Sequence, residues 1–162
     1  MADWQRAYPR AEVFVAPKVA EGDRRDRLDF DCRLLDRSSG YPWDGAIATL
    51  PVESRYMTEV VFFHYASRTL VLTDLIENFE PPKLSLAMRL LTLIGGVQHP
   101  HGSMPLDMRM TFFRRSEALR QAIERMIDWN PQRIILAHGR WYERDGAAEL
   151  KRAFRWVLDR DL

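Results

Sequence analysis

Thr58-Glu59-Val60-Val61-Phe62-Phe63-His64-Tyr65-Ala66-Ser67-Arg68-Thr69-Leu70-Val71-Leu72-Thr73-Asp74 holds two β-rich runs separated by four residues. Val, Phe, Thr and Leu fill Thr58 to His64 and Thr69 to Thr73, and Tyr65-Ala66-Ser67-Arg68 has the length of a hairpin connection. Val60-Val61-Phe62-Phe63 and Leu70-Val71-Leu72 are continuous apolar runs rather than alternating ones. Strands of that kind are covered on both faces, which predicts an inner position in a layered fold.

Toward the amino terminus, Ala46 to Leu50 reads as a further strand, and so does Ala11 to Ala16, stopped by Pro17. Asp3 to Ala7 reads as a short helix closed by Tyr8-Pro9. Glu21 to Asp36 is dense in Asp and Arg with few apolar anchors and reads as a solvated connection. Toward the carboxyl terminus the character changes to helix after Pro81-Pro82. Leu84, Met88, Leu91 and Ile94 share one helical face before Gly95-Gly96, and a Pro/Gly/His loop runs from Val97 to Leu106. Ser116 caps a helix with Leu119, Ile123, Met126 and Ile127 at helical spacing. Arg133-Ile134-Ile135-Leu136-Ala137 is a buried strand delivering His138-Gly139, and Asp145 caps a last helix striped by Leu150, Ala153, Phe154, Val157 and Leu158. This order is α/β (or α+β), with buried strands between helical layers, in a single domain over residues 1–162.

Composition narrows the function classes. The 162 residues are 46% apolar and 29% charged, a globular balance that excludes disorder and fibres. Twenty-four basic against 23 acidic side chains leave a formal charge of +1, which argues against a nucleic-acid binder. The one cysteine, Cys32, excludes an internal disulfide or a cysteine-built zinc cage and points to a reducing compartment. The opening Met1-Ala2-Asp3-Trp4-Gln5-Arg6 is neither a signal nor a transit peptide. The longest apolar stretch, Leu84 to Val97, is broken by Ser85, Arg89 and Thr92 and is too short to span a bilayer. The expectation is a cytoplasmic protein with no membrane segment.

Two residues stand just beyond apolar strands, where rigid platforms open into loops: Asp74 and His138. A carboxylate and an imidazole together suit zinc, iron or manganese, although two ligands alone bind weakly. The alternative is that Asp74 caps a turn and His138 bonds a backbone group. The pair is expected at the same ends of neighbouring strands, within about 4–6 Å of each other. Glu59, His64, His101, Asp107, Arg109 and Arg140 are the candidates for the rim of the pocket between them. Glu59 otherwise marks where a strand meets solvent, His64 is a hairpin histidine, and His99-Pro100-His101 stiffens a loop. Arg140 and Arg144, beside Trp141 and Tyr142, could grip a phosphate or a carboxylate.

Thr58 to His64 together with Ser67 to Phe79 resembles a conserved block of a bacterial and plastid domain family, without assigned function, that is related to the metallo-β-lactamase fold. Trp4 to Ala11, Pro100-His101-Gly102, Pro105 to Arg109 and Arg133 to Arg140 match the same family. The resemblance implies a metallo-β-lactamase-like layered sandwich of which this chain is the carboxyl-terminal half. It implies that Asp74 takes the place of the metal-bridging aspartate and His138 that of the late histidine ligand. It implies too that the His-x-His-x-Asp-His loop belongs upstream of the Trp4-Gln5 block, and the third-motif histidine is missing from Pro51 to Tyr56. The metal-dependent hydrolase of the ancestry is therefore expected here with an incomplete, inactive site and no tightly bound ion. A competing expectation is a non-catalytic interaction module whose uncovered sheet pairs with a second copy or with an amino-terminal partner segment.

Overall fold

The computed structural model describes residues 2–17, 31–113 and 116–159. Its elements are helix α1 (Ala2–Ala7), strands β1 (Phe14–Val15), β2 (Arg33–Leu34), β3 (Ile47–Glu53), β4 (Thr58–His64) and β5 (Thr69–Leu72), and helices α2 (Leu86–Ile94), α3 (Leu106–Thr111) and α4 (Ser116–Asp128). Strand β6 (Arg133–Leu136) and helices α5 (Gly146–Ala153) and α6 (Arg155–Leu158) complete the order.

The hairpin stretch forms the centre of a four-stranded sheet in the order β3-β4-β5-β6. β3, β4 and β5 form an antiparallel meander, with Leu50 opposite Val61 and Phe62 opposite Val71. β6 lies parallel to β5, pairing Leu70 with Ile134 and Leu72 with Leu136. A parallel neighbour needs a long crossover, supplied by the helical segment between Leu72 and Arg133. Because β5 and β6 run the same way, their carboxyl ends open at one edge of the sheet, and Asp74 and His138 follow there.

One face of the sheet is the core face. Leu50, Val52, Val61, Phe63, Leu70, Leu72, Ile134 and Leu136 are buried against Leu119, Ile123 and Met126 of α4 and Leu150, Phe154 and Val157 of the last two helices. The helical spacing of those residues delivers that stripe to the sheet. The other face carries Val60, Phe62, Val71 and Ile135, which are only half-buried and lie outside the core cluster. The continuous apolar runs thus sit on interior strands, as expected, but the second layer they imply is partial among the described residues.

Other expectations are corrected by tertiary packing. α2 does not enter the core: Thr92 is its one buried residue, and its leucines project outward. The last helix is two, since Phe154, fully buried, leaves helical values at φ −109° and ψ 12°. Asp145 makes no side-chain cap; it takes the left-handed conformation at φ 57°, and its backbone oxygen accepts from Glu149 N. The Glu21 to Asp36 connection contains the strand β2, paired in parallel with β1, while residues 18–30 lie outside the described residues. Arg152 turns inward and donates to the Gly102 carbonyl at 2.8 Å. No helix among the described residues is long and apolar enough to cross a membrane.

Candidate metal centre

Asp74 and His138 meet. The Asp74 Oδ1 and His138 Nε2 atoms are 3.0 Å apart, and both side chains are between a third and a half exposed. This is closer than the 4–6 Å expected, because that span ignored the bond angle at a shared ion. Two donors about 2.0–2.1 Å from one tetrahedral ion lie only about 3.4 Å apart. The pair is therefore spaced as two corners of a metal site, and equally as a direct carboxylate–imidazole contact.

Three loops are stitched together behind this pair. Asn78, with no exposed surface, donates from Nδ2 to the Arg140 carbonyl at 2.7 Å and accepts at Oδ1 from Gly102 N at 3.2 Å. Its backbone N donates to the His138 carbonyl at 3.0 Å, and its carbonyl accepts from Arg140 N at 2.8 Å. Gly139 adopts φ +91°, and a Cβ there would stand 2.1 Å from the Asn78 oxygen. Gly102 is as tight, its Cβ position lying 2.3 Å from the Glu77 carbonyl oxygen. Only glycine permits such backbone approaches. The Asp-Leu-Ile-Glu-Asn and His-Gly runs are thus the two sides of one seam.

Glu59 lies behind Asp74 rather than on the rim. It is 3% exposed, so the expectation that it marks a strand–solvent boundary is corrected. Its carboxylate accepts from Thr73 N at 2.7 Å and Asp74 N at 2.9 Å, holding the turn that presents Asp74. Burial pushes its pKa up to about 7, against the opposing pull of those two amides. Glu77 was not singled out in the sequence, yet it sits within electrostatic reach of Asp74, His138 and Asp107, and its pKa is raised chiefly by burial. Its spacing, three residues after Asp74, was the one available signal.

The remaining rim candidates separate. Asp107 lines, with Asp74 and Glu77, the acidic edge of a cleft of about 790 Å³ whose other walls are mostly apolar. Arg140 instead lines a second, polar cleft of about 330 Å³ with His99 and Arg144. His64 is at the opposite end of β4 from Glu59, where its Nδ1 contacts Ser67 Oγ at 2.8 Å, because the hairpin turn holds it there. His101 is exposed on its loop. Arg109 turns away, donating to the Met104 carbonyl at 3.0 Å and stacking over Trp156 at 5.1 Å.

A metal fits this arrangement only in part. Asp74 and His138 have suitable chemistry and spacing for two ligands, but structural zinc uses four protein donors and catalytic zinc three. Among the described residues there is no group of three or more His, Cys, Asp or Glu side chains placed to hold an ion. The residues present do not make a complete metal site.

The arrangement of sheet and helices has counterparts among solved structures. The DIM-1 metallo-β-lactamase, in a crystal exposed to ceftazidime, superposes with a TM-score of 0.54 at 14% identity, covering 96% of this chain and 59% of that one. Rubredoxin oxygen:oxidoreductase from Desulfovibrio gigas gives 0.57 at 10% identity, covering 98% and 39%. The chemotaxis sensor ODP from T. denticola, in its apo state, gives 0.50 at 16% identity, covering 91% and 59%, and a structure titled as a peroxy diiron species of that sensor also matches. The chain has a metallo-β-lactamase-like fold. Metallo-β-lactamase-like neighbours are matched along nearly all of this chain, which spans about 40–60% of their lengths. No protein-family model matches the chain, and neither does any curated protein sequence.

Proposed function

We propose that this chain is a metallo-β-lactamase-like protein of metal-dependent hydrolase ancestry whose metal site is reduced to Asp74 and His138. It corresponds, in this reading, to the carboxyl-terminal part of the bacterial and plastid family it resembles, and it works in the cytoplasm. One observation carries the proposal: a carboxylate and an imidazole 3.0 Å apart at the ends of two parallel strands, with no third donor grouped with them among the described residues. A hydrolytic metal has to be held firmly and keep an open position for water, and two donors do not secure that. The reading is therefore weak binding of zinc, iron or manganese and no hydrolysis by this chain alone.

Titration of chelator-treated protein with zinc, manganese or ferrous iron by calorimetry tests this. Binding is expected to be weak and to disappear in both Asp74→Ala and His138→Ala. Equal binding in the variants, or none in the wild type, would overturn the metal reading; tight binding would overturn its reduced character.

A second reading is a non-catalytic interaction module. The half-buried row of Val60, Phe62, Val71 and Ile135 favours it, since an apolar sheet face is normally packed against another layer.

A further inference from the structure

A different surface, which borders Asp74 but needs no bound metal and no part of the sheet face, carries an inference. Exposed large apolar side chains concentrate between residues 86 and 113. α2 is apolar on two sides: Leu86, Leu90 and Leu93, at helical spacing, are 61–80% exposed, while Met88, Leu91 and Ile94 face the 790 Å³ cleft and are 41–66% exposed. Across the cleft stand Leu106 and Met108 of α3. Met110 and Phe113, at 76% and 79%, extend the patch. A helix that is apolar all round belongs inside a larger body.

We propose that α2 and this cleft form the interface of a two-fold symmetric homodimer, with the Leu86-Leu90-Leu93 ridge of each copy seated in the cleft of the other. The chain carries both the ridge and the hollow, so one two-fold axis buries both at once. The exposed area fits such an interface. At roughly 150 Å² for a large side chain, the nine exposed apolar residues from Leu86 to Phe113 offer on the order of 800 Å², one partner's share of a standard interface. Charge selects among occupants. The cleft edge is acidic, with Asp74, Glu77 and Asp107, and the one charged residue on α2 is Arg89, whose guanidinium donates to the Leu84 and Pro82 carbonyls and keeps a positive charge on the helix to complement a second copy's acidic edge. The same acidic edge repels an anionic lipid surface, and membrane-lying helices carry more basic residues on their polar face.

Light scattering on the size-exclusion peak of the full chain tests the proposal. The expected mass is twice 19.0 kDa at micromolar concentration. Leu90→Glu with Leu93→Glu should give a monomer whose far-UV circular dichroism remains that of the wild type, because both residues are exposed in the monomer. Arg89→Glu, which leaves the apolar ridge intact but also gives up the bonds to the Leu84 and Pro82 carbonyls, should weaken the dimer at least tenfold while the far-UV circular dichroism stays that of the wild type. A wild-type monomer over the whole concentration range would overturn the proposal. So would a folded double variant that stays dimeric, or a wild-type chain that is monomeric and sediments with phosphatidylserine-containing vesicles.

Discussion

Replacing Gly139 with alanine places a Cβ where the Asn78 backbone already stands, at 2.1 Å from its oxygen, 2.3 Å from its carbonyl carbon and 2.8 Å from Phe79 N. None of these atoms belongs to a flexible side chain, so the seam between the Asp74 and His138 loops has to open. A left-handed backbone at φ +91° costs an L residue about 1–2 kcal/mol by itself. The steric demand adds about 1–3 kcal/mol, whether it is met by strain or by separating the loops. Separation gives up the hydrogen bonds from Asn78 N to the His138 carbonyl and from Arg140 N to the Asn78 carbonyl, worth about 0.5–1.5 kcal/mol each, so these overlap the steric cost rather than adding to it. The total is about 2–5 kcal/mol, a large part of the 5–15 kcal/mol typical of a whole domain. Urea unfolding followed by the fluorescence of the five tryptophans measures it. With a slope of about 2 kcal/mol per molar, the midpoint falls by about 1–2.5 M. Gly45→Ala is the control: nothing lies within 4 Å of its Cβ position, and the change should stay within about 0.5 kcal/mol. A Gly139→Ala protein within about 1 kcal/mol of the wild type would refute the packing of the two loops described here.

Two further outcomes follow from the same region. Glu59 has a pKa raised from 4.5 to about 7, so between those values the native state holds a proton that the unfolded state has released. Stability therefore falls as pH rises from about 4.5 to about 7, by up to about 3 kcal/mol, and is insensitive to this group above that window. Urea midpoints across pH 4.5–8 should show this slope in the wild type and lose it in Glu59→Gln; an unchanged slope in the variant would assign the dependence elsewhere. Asn78→Ala leaves Gly102 N and the Arg140 carbonyl without their buried partner and should cost about 2–4 kcal/mol by chemical denaturation. Asn78→Asp should also destabilise, since a carboxylate oxygen then faces the Arg140 carbonyl; a neutral effect of both changes would show that the seam does not depend on this side chain.

The local runs of sequence determined the elements. Thr58 to His64 is β4 to the residue, and the helical spacing of Leu119, Ile123 and Met126 marks the buried stripe of α4. The same runs showed that Asp74 and His138 each follow an apolar strand. Strand and helix periodicity are properties of neighbouring residues, so they can be read in one dimension. What they could not fix was pairing. That β5 and β6 are parallel neighbours, which brings Asp74 to 3.0 Å from His138, depends on a contact across more than 60 residues of chain. Glu59 looked like a strand end, and only the turn folded over it buries its carboxylate on two backbone amides. His64 and Glu59 share one strand but stand at its opposite ends, so sequence nearness placed both near a site that only one approaches. α2 misled for a related reason. Its apolar face predicts burial, and an amphipathic pattern states that a surface must be covered without stating by what; the tertiary structure leaves that face open beside an acidic cleft edge.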